Sequence, residues 1–259
     1  MKLLGTLYLP GDKSLSHRSL MFASLARGVS KISNLGSGKD VETTANVLKE
    51  LGIKIEMNGD CATVYGDFLK VSKNNLDCGN SGTTVRLLMG LLAGQKISAE
   101  FIGDKSLSSR PMGRVIKPLE EFGAKFELSN DRLPAKLNAS LLTGANYQLQ
   151  IASAQVKSAL ILAALGAKGS SKITDPFETR NHTENLLISM GANISVQGFD
   201  IHVHPLTKPL RPIAWEVPAD PSSVAFFAAA AMAVKDSCVE FKNVLVNNTR
   251  TGFLDILER

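Results

Sequence analysis

Leu48-Lys49-Glu50-Leu51-Gly52-Ile53-Lys54-Ile55 decides the fold, because the same pattern returns twice. It recurs as Leu119-Glu120-Glu121-Phe122-Gly123-Ala124-Lys125-Phe126 and as Leu187-Ile188-Ser189-Met190-Gly191-Ala192-Asn193-Ile194. Each copy reads as the end of an amphipathic helix, a glycine just past that end, and a strand of period two. A second kind of segment alternates with the first. Near Ser14, Ser81, Ser153 and Ser222 a few small polar residues open a stretch rich in Leu and Ala. The polar residues suit helix N-caps, and a helix apolar on nearly every side must be buried. The pattern repeats about every seventy residues, and each repeat predicts an α/β unit packed against copies of itself. Three units are complete. A fourth opens at Asp220-Pro221-Ser222-Ser223, and the period places its next glycine at about position 261. By that spacing the 259 residues stop inside a helix of the fourth unit, as a fragment would.

The composition is that of a globular chain. Hydrophobic residues make up 44% and charged residues 20%, which excludes a disordered class. The longest apolar run, which takes in Ala225 to Val234, is too short to span a bilayer, and Pro10 interrupts the N-terminal apolar piece before it could serve as a signal peptide. Cys61, Cys78 and Cys238 are sparse and unpatterned, as in a reducing cytoplasm. A net charge of +5 favours anionic partners, but the cations are dispersed and aromatics reach only 6%. Small anionic metabolites therefore fit better than nucleic acid.

Pro10-Gly11-Asp12-Lys13-Ser14-Leu15-Ser16-His17-Arg18 carries the densest chemistry. Pro-Gly stops a strand, Asp12 or Ser14 can cap a helix, and Lys13 and Arg18 lie beside the free N–H groups of its first turn. Such a start is suited to a phosphate or carboxylate. The starts at Asn80-Ser81-Gly82-Thr83-Thr84-Val85-Arg86 and Ser153-Ala154-Gln155-Val156-Lys157 repeat the theme, and glycine at 82 lets backbone approach a ligand. Arg110 precedes Pro111 on a loop leading into a helix, placed to clamp an anion bidentately. Thr179-Arg180-Asn181-His182-Thr183-Glu184 is predicted as a further capped start.

In this order, Asp12 to Arg18, Gly79 to Thr83, Gly103 to Met112, Ser153 to Ala159, Arg180 to Glu184 and Asp220 to Ser223 resemble the 5-enolpyruvylshikimate-3-phosphate synthases, or 3-phosphoshikimate 1-carboxyvinyltransferases. The resemblance runs from Pro10 to the end of the chain. It implies the enolpyruvyl transferase fold, an inside-out α/β barrel in which βαβαββ units surround buried helices. Residues 12–218 would form a complete substrate-binding domain of three repeats. Residues 1–11 and 219–259 would be an incomplete part of a second domain, joined through a double crossover. The implied reaction transfers the enolpyruvyl group of phosphoenolpyruvate to the 5-hydroxyl of shikimate 3-phosphate. That hydroxyl loses a proton as it attacks C2 while C3 gains one, and a tetrahedral intermediate then expels phosphate. Both halves need a general acid and base in a dry site.

Matching motifs imply roles for single residues. Lys13 would touch both substrates and move a proton. Ser14, Arg18, Ser153, Ala154, Gln155 and Arg180 would hold shikimate 3-phosphate. Gly82, Arg110 and Gln155, with Lys13, would line the phosphoenolpyruvate pocket. Ala154 stands where many relatives carry serine, so only its backbone can contribute. Ala154 with Arg180 resembles the branch called class II, while glycine at 82 is typical of glyphosate-sensitive members. Relatives also draw an Asp, a Glu and further Arg residues from the second domain. The resemblance implies no cofactor and no metal, and a monomer.

Other signals carry less. Gly36-Ser37-Gly38-Lys39-Asp40 lacks the spacing of a P-loop and reads as a loop and helix cap. His202 and His204 have no third ligand nearby, and His17 reads as a supporting group. The related UDP-N-acetylglucosamine enolpyruvyl transferases carry a cysteine loop before their Arg-Pro and an Asn after the leading Lys. Here 103–110 holds no cysteine and Ser14 follows Lys13. A further alternative is a non-catalytic domain that binds shikimate 3-phosphate without turnover.

Overall fold

The computed structural model describes residues 2–72 and 74–258. After β1 (Leu4–Leu7) the first unit holds α1 (Lys13–Leu25), β2 (Gly28–Ser33), α2 (Lys39–Glu50), β3 (Lys54–Asn58) and β4 (Cys61–Gly66). The second comprises β5 (Leu76–Asp77), α3 (Gly82–Gly94), β6 (Ala99–Ile102), the single turn α4 (Lys105–Ser108), α5 (Gly113–Glu121), β7 (Lys125–Ser129) and β8 (Arg132–Asn138). The third comprises β9 (Asn146–Gln148), α6 (Ala154–Ala164), β10 (Ser171–Thr174), α7 (His182–Ser189), β11 (Ile194–Gln197) and β12 (Asp200–Val203). Then follow β13 (Ala214–Glu216), α8 (Pro221–Ala233), β14 (Cys238–Phe241) and α9 (Gly252–Leu257).

Each unit forms one four-stranded sheet, with orders β13-β2-β4-β3, β5-β6-β8-β7 and β9-β10-β12-β11. In every sheet the first pair is parallel and the others are antiparallel. The first unit lacks an opening strand of its own, and β13 takes that place beside β2. In return β1 runs parallel to β14, with Leu4 opposite Cys238. The chain therefore crosses twice between two groups of elements. The crossings lie side by side: Asp12 N donates to the Pro218 carbonyl at 2.8 Å and Asp220 N to the Pro10 carbonyl at 3.1 Å.

The outer helices α2, α5 and α7 each bury one face and end at a glycine with positive φ: Gly52 at 88°, Gly123 at 94° and Gly191 at 96°. A side chain is strained in that conformation, which is why the repeat keeps glycine there. The central helices α1, α3 and α6 are buried over most of their length. They run parallel, because contacts between them progress in the same direction from start to end. Between α3 and α6, Gln155 meets Thr83 near the starts, Gly90 meets Ala159 midway, and Gly94 meets Gly166 at the ends. For α1, Arg18 meets Ser158 of α6 near the starts, and Leu25 shares one cavity with Gly94 and Leu165 at the ends.

One expectation is corrected. The fourth apolar helix, α8, buries only Pro221 and Val224, and Phe226 is 80% exposed. Central helices α1, α3 and α6 are packed against one another and against the sheets, whereas α8 packs mainly against β14 and the short α9. Apolar composition requires a helix to be covered but does not supply the cover. No helix among the described residues is long and apolar enough to cross a membrane.

Candidate active site

The starts of α1, α3 and α6 share one end of the molecule, and their N-caps are built alike. Asp12 Oδ1 accepts from Leu15 N at 2.8 Å, Ser81 Oγ from Thr84 N at 3.2 Å, and Ser153 Oγ from Val156 N at 3.3 Å. Three parallel helix dipoles direct their positive ends at the same region. Of the two caps the sequence allowed for α1, the structure uses Asp12. The start of α7, expected to be capped, has no side-chain cap, and the Asn181 Oδ1 accepts from Asn247 Nδ2 at 2.8 Å.

Lys13 is the first residue of α1 and is exposed, with its Nζ paired to the Asp40 carboxylate and its backbone N donating to Asp220 Oδ2 at 3.3 Å. Arg18 is buried on the same helix. Its Nη1 donates to Ser14 Oγ at 2.6 Å, its Nη2 to Ser158 Oγ at 2.7 Å and its Nε to Thr183 Oγ1 at 2.7 Å. Burial lowers its pKa to about 10. Arg18 thus joins α1 to α6 and α7, with much of its donor capacity used inside the protein. The hydroxyls of Ser14 and Ser153 each accept one hydrogen bond and keep a proton to donate.

The second cluster gathers around Gln155, whose Oε1 accepts from Arg86 Nη1 at 3.0 Å and whose Nε2 donates to Thr83 Oγ1 at 3.0 Å. Gly82, first in α3, lies against this group. A Cβ there would stand 2.6 Å from Arg86 Nη1 and 3.3 Å from Arg110 Nη1. Arg110 is held in turn by the Asn80 Oδ1, 2.5 Å from its Nη2. Ala154 opens α6 between Ser153 and Gln155. Arg180 stands exposed before α7 and shows no side-chain hydrogen bond to the described residues. Its pKa is lowered by burial and then by the nearby Arg250. The structure therefore brings Gly82, Arg110 and Gln155 together, and separately Ser14 and Arg18, with Lys13 beside them.

Three further residues contribute. Asp40, which the sequence offers only as part of a helix cap, holds Lys13. Arg86 falls one turn after Gly82 and so on the same helix face, a spacing that could have given it a role beside that glycine. Arg250 joins Asp12 Oδ2 and Asp220 Oδ1, each at 2.9 Å, and the former bond spans 238 residues. No local pattern could have announced it.

The family model described as EPSP synthase (3-phosphoshikimate 1-carboxyvinyltransferase) matches residues 1–259. The chain belongs to the EPSP synthase family. It is 46% identical over 266 residues to a 3-phosphoshikimate 1-carboxyvinyltransferase of Streptococcus suis, covering 99% of this chain and 62% of that protein. Another of that description, from a Thermoanaerobacter species, is 46% identical over 259 residues, with 61% of its length covered. An EPSP synthase from Acinetobacter baumannii superposes with a TM-score of 0.93 at 38% identity, covering 99% of this chain and 60% of that one. The enolpyruvyl transferase fold implied by the resemblance is thus the fold of a solved EPSP synthase. The chain spans about three fifths of the length of these EPSP synthase relatives.

Proposed function

We propose that the protein carries out, or forms part of, the transfer of the enolpyruvyl group from phosphoenolpyruvate to the 5-hydroxyl of shikimate 3-phosphate, releasing phosphate. Gln155 carries this reading. It bridges the starts of α3 and α6, bonded to Thr83 and to the Arg86 of a Gly82–Arg86–Arg110 group, two residues after the Ser153 that caps α6. Both substrates bear a phosphate and a carboxylate, so adjacent anion subsites are what the reaction needs. Ser14, Arg18, Ser153, the Ala154 backbone, Gln155 and Arg180 take shikimate 3-phosphate. Gly82, Arg110 and Gln155 take phosphoenolpyruvate, and Lys13, its head paired with Asp40, touches both substrates and carries the proton.

The proposal includes a division of the chain. Residues 12–218 form the substrate-binding domain, and 1–11 with 219–259 belong to the second. The paired crossings and the exchange of β1 and β13 support this boundary. It also includes a monomer acting in the cytoplasm, in keeping with three unpaired cysteines.

Titration calorimetry of the 259-residue chain with shikimate 3-phosphate, followed by a phosphate-release assay with phosphoenolpyruvate, tests the reading. Saturable binding with turnover supports the full proposal. Binding without turnover favours the binding-only alternative, for which the share of the relatives' length spanned is the relevant observation. No binding refutes the site.

A further inference from the structure

Lys157 lies two residues beyond Gln155 on α6 and is buried in the protein. Its ammonium is enclosed by three oxygens, one a hydrogen-bonded carbonyl and two the carboxylates of ion pairs. These are Asp175 Oδ2 at 2.9 Å, Glu184 Oε1 at 2.8 Å and the Thr179 carbonyl at 2.8 Å. Asp175 gathers the same segment from its other side. Its Oδ1 accepts from Phe177 N at 3.2 Å, and its Oδ2 from Thr179 N at 2.8 Å and Thr179 Oγ1 at 2.7 Å. Burial pushes the Asp175 carboxyl up, but the bonds from Thr179 and Lys157 outweigh it and hold the carboxyl below its ordinary value.

Both backbone groups of Thr179 are therefore fixed, the N–H by Asp175 and the carbonyl by Lys157. The next residue is Arg180, exposed as a residue, whose half-buried guanidinium bonds to no side chain or backbone among the described residues. A fixed stem thus carries a free cation. Stability does not explain such a cluster, because buried ion pairs are commonly no better than apolar residues of the same volume. Its effect is to hold geometry. Lys157 ties the helix bearing Ser153 and Gln155 to the loop bearing Arg180 and, through Glu184, to the helix whose Thr183 receives Arg18.

We propose that Lys157 is a positioning residue: it sets the Thr179–Arg180 backbone so that Arg180 meets the same anionic ligand as Ser153 and Gln155. This rests on the reading of Arg180 as a shikimate 3-phosphate ligand. Preorganising a clamp in this way lowers the ordering cost of binding.

A double-mutant cycle read by calorimetry with shikimate 3-phosphate tests it. Lys157→Met and Arg180→Gln are each expected to weaken binding roughly ten- to hundredfold, and the double variant no more than Arg180→Gln alone. Additive losses, or full affinity in Lys157→Met while Arg180→Gln is impaired, overturn the positioning role. Full affinity in Arg180→Gln overturns the reading beneath it and the proposal with it, and absent wild-type binding overturns both. If Lys157→Met does not fold, Asp175→Asn replaces it with the same expected loss and the same non-additivity, and additivity there refutes the proposal equally.

Discussion

His17 is out of reach of solvent, with its Nδ1 2.7 Å from Thr44 Oγ1. Burial lowers its pKa to about 3, and the Lys13 charge acts in the same direction. His182 is lowered to about 3 as well, by burial and then by Arg18, Arg250, Arg180 and Lys157. Both are therefore neutral in the folded chain, whereas the unfolded chain protonates them near pH 6.5. Below that pH the unfolded state binds more protons. The stabilisation is complete above pH 6.5 and is lost as pH falls toward about 3, at about 1.4 kcal/mol per pH unit for each histidine. Urea unfolding at pH 7 and pH 5.5 should show the loss, and His17→Gln should flatten it. Equal stability at the two pH values would refute the assignment. At the same scale, Gly82→Ala presses a methyl on the guanidinium ends of Arg86 and Arg110. Those ends can move, so the midpoint of melting should shift by less than about 2–4 °C. Phosphoenolpyruvate and small anions that compete with it should bind more weakly, as anion titration would detect. The glycine was legible as a close-approach point. Of the two arginines flanking it, Arg110 follows from the resemblance, whereas the part of Arg86 shows only where its side chain folds back along α3 onto Gly82.

Among elements, the parallel pair α3 and α6 determines how closely the starts of the site stand. A Cβ on Gly90 would collide with the Ala159 backbone, and one on Gly166 with the Gly94 carbonyl. Backbone cannot give way as a side-chain end can. Gly90→Ala should therefore cost at least about 2 kcal/mol despite alanine's better helix propensity. Gly252→Ala, with open space around it, should cost nothing in the same denaturant titration, and equal effects would disprove the close-packing account. The apolar composition of α1, α3 and α6 made them recognisable as buried helices. The same reasoning failed for α8, because burial belongs to the neighbours as much as to the helix.

At the scale of the whole molecule, Arg250 holds the N-cap carboxylates of α1 and α8 together where the two crossings meet. Asp12 is fully buried, and burial raises its pKa first, with Asp220 adding to that and Arg250 opposing it. Removing the arginine leaves that carboxylate without its cation, so Arg250→Met should destabilise the chain by about 3–5 kcal/mol. Adding Asp12→Asn should restore part of the loss. Denaturant melts of the three proteins measure this, and a single variant as stable as the parent would show that Arg250 does not join the crossings. The exchange of β1 and β13 has the same character, because strands 4–7 and 214–216 find partners far along the chain.

The sequence by itself determined the period, the glycine after each outer helix, the polar start of each inner one, and the residue types gathered at those starts. These are local matters of φ/ψ preference, capping and apolar patterning, written within a few residues. Only the tertiary structure decided that three starts face one end, that Asp40 takes Lys13, that Arg250 closes the crossings, and that Lys157 fixes the stem of Arg180. Each of those depends on where distant segments come to rest in the packed molecule, which a pattern within one segment does not encode.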